Sequence, residues 1–65
     1  MAHEVSIQEA EAIRDMLGLD RYRFSVKIGL QPTSYHQAIK RRKISRYMAF
    51  RIAMHYPAQL KKVRQ

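Results

Sequence analysis

Gly18-Leu19-Asp20-Arg21-Tyr22-Arg23-Phe24-Ser25-Val26-Lys27-Ile28-Gly29-Leu30-Gln31-Pro32-Thr33-Ser34-Tyr35-His36-Gln37-Ala38-Ile39-Lys40-Arg41-Arg42 is the stretch that decides the fold of this chain. Asp20 is a good cap for a helix running from Arg21 to about Ile28. The apolar residues Tyr22, Phe24, Val26 and Ile28 alternate as they would in a strand. The Asp cap and Gly29 suit helix ends, however, and a lone short strand would have no partner in so small a chain. Gly29 can take the left-handed conformation that ends a helix, and Pro32 is pre-set for the first turn of the next, over about 32–42. Either Gln31 or Thr33 can cap that helix. It places Tyr35, Ala38 and Ile39 on one face and His36, Gln37, Lys40 and Arg41 on the other. Ser25, four residues before the glycine, leaves room where two helices cross closely. Leu30, Tyr35 and Ala38 follow the glycine at the spacing that fills the angle between them.

Outward from this centre, the chain reads as helix on both sides. Ser6 with Glu9 three residues on makes a capping box, and Val5 can staple against Ala10. Ile7, Ala10, Ile13 and Leu17 then recur at spacings of three and four, with Met16 beside them, and Gly18 ends an amphipathic helix over about 6–17. Ser45 caps a further helix over about 45–56, which Pro57 stops. Its apolar residues form two stripes. Met48, Ala49, Ile52 and Tyr56 suit the core, while Tyr47, Phe50 and Met54 suit either the core of a central helix or a dimer surface. Residues 57–65 are expected to be a short basic tail, or one or two further turns. The expectation is one all-α domain over 1–65, with four to five helices.

With 65 residues there is room for one small domain, whose fold buries only about 60% of the unfolded chain's surface. The absence of cysteine removes disulfides, thiolate zinc sites and cysteine nucleophiles. Thirteen Lys and Arg against five Asp and Glu give +8. The distribution says more than the total: residues 1–20 hold all five acids and one arginine, a net of −4, whereas residues 21–65 hold twelve basic residues and no acid. Such a polarised chain should offer a polyanion one strongly basic side. No apolar run is long enough for a membrane span, and the acidic first twenty residues lack the basic start of an export signal, so the expected compartment is the cytoplasm. His3 and His55 do not form a metal pair by spacing, and His36 has no nearby Cys, Asp or Glu. Neither a Ser, His and acid constellation nor a glycine-rich phosphate loop is present, so an enzyme is not expected, nor a cofactor or small-molecule ligand.

Two short helices held at an angle by a tight turn make a helix-turn-helix, and the charge map supports that reading independently. The arrangement resembles the Cro/repressor-type helix-turn-helix family of phage and bacterial regulators over residues 7 to about 56. The string from Ser25 through Ile39, followed by Lys43-Ile44, is especially similar to phage Cro proteins. The resemblance implies a lambda-repressor-like domain that binds a palindromic operator on double-stranded DNA as a homodimer, in a bacterial or phage-infected cell. Departures are Arg21, where the family usually has glutamine; Pro32, where a contacting glutamine is common; and Tyr35, bulkier than the usual Ile or Val.

Carried over position by position, the resemblance places base contacts on Thr33, His36 and Gln37, with Pro32 available to a thymine methyl. Side-chain chemistry agrees: Gln37 can hold adenine through two hydrogen bonds, and Thr33 can use its hydroxyl or its methyl. Arg21, Lys40 and Arg41 would grip phosphate, with Arg42, Lys43, Arg46 and Lys27 as further backbone contacts. Tyr47, Phe50 and Met54 are the candidate dimer interface. Two other function classes compete. A helix-turn-helix scaffold can act through protein–protein interaction, as an antitoxin or anti-regulator, using the second apolar stripe. A small RNA-binding protein would need exposed stacking aromatics, whereas Tyr22, Phe24, Tyr35 and Phe50 are expected in the core.

Overall fold

A computed structural model describes residues 4–65. In chain order the helices are α1 (Ile7–Leu17), α2 (Arg21–Lys27), α3 (Ser34–Arg41), α4 (Arg46–His55) and α5 (Pro57–Val63). The described residues contain no strand. The local start and stop signals act as their chemistry dictates. The Ser6 hydroxyl accepts from the Glu9 amide at 3.1 Å while the Glu9 carboxylate accepts from the Ser6 amide at 2.9 Å, closing the capping box. Asp20 and Ser45 cap α2 and α4 by accepting from the Arg23 and Met48 amides. Gly18 and Gly29 sit at φ +68° and +82°, the left-handed region that stops α1 and turns the chain after α2.

One boundary differs from the sequence expectation, and one open alternative is decided. The third helix starts at Ser34, not at Pro32. The Ser34 amide donates to the Gln31 carbonyl at 3.0 Å, and Thr33 has φ −92° and ψ −6°. Pro32 and Thr33 are therefore the central pair of a turn of type I geometry, where proline's fixed φ suits the first central position as well as it suits a helix start. Of the two readings of residues 57–65, the further turns are what forms, as a seven-residue fifth helix. Pro57 opens α5, Leu60 is buried, and α5 packs on α1 and α4. Arg64 then joins the two ends of the chain, donating to Glu9 at 2.8 Å and to the Glu4 carbonyl.

The core is built from Val5, Ala10, Ile13, Phe24, Ile28, Tyr35, Ala38, Met48, Ala49, Ile52 and Leu60, with Leu17, Leu30, Ile39, Ile44 and Tyr56 packed partly against it. Phe24 meets Tyr35 edge-to-face, with ring centroids 4.9 Å apart at 76°, and lies near-parallel to Tyr56 at 6.0 Å. In α2 the spacing of four wins over the alternation: Phe24 and Ile28 are buried, while Tyr22 and Val26 are about half exposed. The expectation that Tyr22 and Phe50 are core residues is corrected, since Tyr22 is 51% and Phe50 38% exposed. No helix among the described residues is long and apolar enough to cross a membrane.

Candidate nucleic-acid interface

Ser25 is wholly buried and does more than leave space. Its hydroxyl donates to the Gln31 carbonyl and accepts from the Tyr35 amide at 3.3 Å. One side chain of α2 thus ties both sides of the turn that opens α3. Arg51 of α4 secures the other end of α2, its Nε donating to the Ile28 carbonyl at 2.7 Å. This bond supplies a cation to a helix C-terminus, where orphan carbonyls and the helix dipole favour one.

Glu11 of α1 is the hub on the opposite side. It accepts from Arg14 Nε at 3.0 Å, from Arg21 at 3.2 Å and from the Tyr35 hydroxyl at 2.6 Å. Partial burial pushes its carboxyl up, but the hydrogen bonds from Arg14, Tyr35 and Arg21 outweigh that and bring it down to about 2. Burial, and then the bond to Glu11, push the Tyr35 phenol far above its usual range. The first helix is thereby fastened to the start of α3 through a charge-assisted bond.

What these ties leave outside is the polar side of α3 and the basic segment that follows it. Pro32, Thr33 and Gln37 are exposed and His36 is half-buried. Thr33 occupies the N-cap position of α3, but its side chain makes no capping bond, so its hydroxyl is not consumed by its own helix. Gln37, Arg41, Lys43 and Tyr47 line one groove, floored by Leu30, Ala38 and Met48. Arg42, Lys43 and Arg46 line a second, wider cleft facing the start of α1. Lys43 lines both. Lys40 and Lys27 are exposed near the C-terminal ends of α3 and α2.

Arg42 has a backbone feature its sequence does not announce. It ends α3 at φ +58°, in the left-handed region, while the Lys43 amide donates back to the Ala38 carbonyl at 3.1 Å. Arg21 differs from the other candidate phosphate contacts in being already engaged, by Glu11. Of the apolar stripe on α4, Tyr47 is 60% and Met54 50% exposed, next to the more covered Phe50.

Sequence reasoning missed Glu11, Arg51 and the second role of Ser25. The Glu11–Arg14 pair is visible as an i,i+3 spacing. The bonds from Glu11 to Tyr35 and from Arg51 to Ile28 span 24 and 23 residues, and no local signal carries them. Among the described residues no group of three or more His, Cys, Asp or Glu is placed to hold a metal ion. His3 lies outside the described residues. Comparison with family models, with curated proteins and with solved structures gives no match.

Proposed function

We propose that this chain is a sequence-specific, double-stranded DNA-binding transcriptional regulator of the lambda-repressor-like kind, acting as a Cro-like repressor and bound to a palindromic operator as a homodimer. In this reading α2 and α3 are the helix-turn-helix and α3 enters the major groove. One observation carries it: the groove beside α3 combines the amide of Gln37, which can read a base edge, with the phosphate-seeking charges of Arg41 and Lys43. Supporting it, Thr33 is exposed at the start of the same helix, where base edges come within reach, and its hydroxyl makes no capping bond. No acid lines that groove, and three of the five acids are ion-paired, Glu9 with Arg64, Glu11 with Arg14 and Arg21, and Asp20 with Arg23, although Glu4 and Glu9 line the wider cleft beside Arg42, Lys43 and Arg46.

The test is a binding selection from random duplex DNA near physiological salt. The expected result is an enriched inverted repeat, bound by two subunits and at least about 4 kcal/mol tighter than a scrambled control. With four to five phosphate contacts per subunit, log K against log salt should have a slope of about −7 to −9, and a slope near −2 would sink the reading. Gln37→Ala should relax discrimination at one base position by about 1–3 kcal/mol, while Lys40→Ala should weaken all sequences alike. The exposed Tyr47 and Met54 favour one second reading, a scaffold that binds a foreign protein through α4. A monomer that binds bulk DNA without enriching any site would point there.

A further inference from the structure

Two aromatic contacts cross from α2 to α3, and only one belongs to the core. Phe24 and Tyr35 form the buried pair. On the outer side the ring of Tyr22 lies beside the imidazole of His36, near-parallel at 19° and widely offset, with centroids 6.0 Å apart. Tyr22 is 51% exposed, so it fills no core position, and the turn is already secured by Ser25, Glu11 and Arg51. Its neighbours in the first turn of α2 are engaged elsewhere, Arg21 by Glu11 and Arg23 by Asp20. A half-exposed tyrosine outside the core, set alongside one polar side chain of α3, is placed to act through that side chain.

We propose that Tyr22 is a specificity-determining positioning residue, which fixes the plane of the His36 imidazole so that its ring nitrogens meet a purine edge in the major groove at a set angle. The inference rests on the DNA-binding reading above. An unbraced imidazole would rotate about its side-chain torsions and reach several base edges equally well. With Tyr22 alongside and near-parallel, the imidazole is biased toward one plane, and a donor N–H on its edge matches the N7 acceptor of a purine, with O6 of guanine as a second acceptor beside it. Guanine is therefore the expected preference. Offset aromatic stacking carries enough energy to bias a side chain by about three- to tenfold, the order needed to sharpen one base position.

The experiment compares the base preferences of wild type, Tyr22→Ala, Tyr22→Phe, His36→Ala and the double variant Tyr22→Ala/His36→Ala on the selected site and its single-base variants. His36→Ala identifies the base pair that His36 reads. Tyr22→Ala is expected to lose about three- to tenfold of the preference at that same pair, leaving the other positions and the salt slope unchanged. Tyr22→Phe should keep the preference, because it keeps the ring. The double variant should be no worse than His36→Ala alone. Thermal melts of Tyr22→Ala should show the fold retained, with at most a small loss from its half-covered ring. If Tyr22→Ala leaves the preference at that pair intact, the inference is overturned while the DNA-binding reading stands. If it weakens all sequences equally, Tyr22 is a phosphate contact and the inference again fails. A wild-type selection that enriches nothing overturns the underlying reading, and this inference with it.

Discussion

Alanine at position 29 should be costly for two separable reasons. Gly29 has φ +82°, a conformation that a side chain disfavours by about 1 kcal/mol or somewhat more. A Cβ there would also press on the guanidinium of Arg51, falling inside contact distance of Nη2 and 3.1 Å from Cζ. That guanidinium is the end of a flexible side chain and can move, but moving gives up its 2.7 Å bond to the Ile28 carbonyl. Such a half-buried, charge-assisted bond contributes about 1 kcal/mol or more. Gly29→Ala should therefore cost about 2–3 kcal/mol, a large part of the ~3–10 kcal/mol expected for a domain this size. In an Arg51→Ala background the Cβ has room and only the backbone strain remains, about 1 kcal/mol. The assay is a double-mutant cycle by urea denaturation followed by far-UV circular dichroism, with an expected coupling of about 1 kcal/mol or more. Equal costs in the two backgrounds, within about 0.5 kcal/mol, would refute the claim that the glycine makes room for Arg51.

Three further outcomes follow from the same structure. The Glu11 carboxyl, held at about 2 against an ordinary 4.5, should contribute up to about 3 kcal/mol of stability that is fully present above about pH 4.5 and lost as the pH falls through about 2. Urea midpoints measured down the acid range should show this loss, and Glu11→Gln should flatten it; parallel curves for the two proteins would assign the loss to other groups. Arg42→Gly should relieve the left-handed residue at φ +58° and stabilise the fold by about 0.5–1 kcal/mol, and on the proposed reading of a dimer bound to DNA it should reduce the magnitude of the salt slope by about 2. A higher melting temperature with an unchanged salt slope would remove Arg42 from the phosphate contacts. Ser25→Ala should cost about 1–3 kcal/mol, because it strips partners from the Gln31 carbonyl and the buried Tyr35 amide. Faster hydrogen exchange at the Tyr35 amide should accompany it, and an unchanged melting temperature would contradict the role given to the hydroxyl.

Features that act within a few residues along the chain are legible without the fold. The Ser6–Glu9 box, the Asp20 and Ser45 caps and the glycine stops at 18 and 29 all appear where their local chemistry puts them. The stripe of Met48, Ala49 and Ile52 is likewise buried, because a period of 3.6 residues defines one side of a helix whatever it packs against. Pro32 marks the limit of that reach: its fixed φ serves the first central position of a turn as well as the first turn of a helix, and the Ser34–Gln31 bond chose the turn. Tertiary packing decided the rest. It turned Tyr22 and Val26 outward, since α2 meets its neighbours along Phe24 and Ile28. It gave Glu11 its bond to Tyr35, Arg51 its bond to Ile28 and Arg64 its bond to Glu9, pairings that need whole helices to be docked before the charges can meet. The candidate interface divides in the same way. Its residue types stand in the sequence, but the meeting of Gln37, Arg41 and Lys43 in one groove, and of Tyr22 with His36, exists only once α3 is set against α2 and α4.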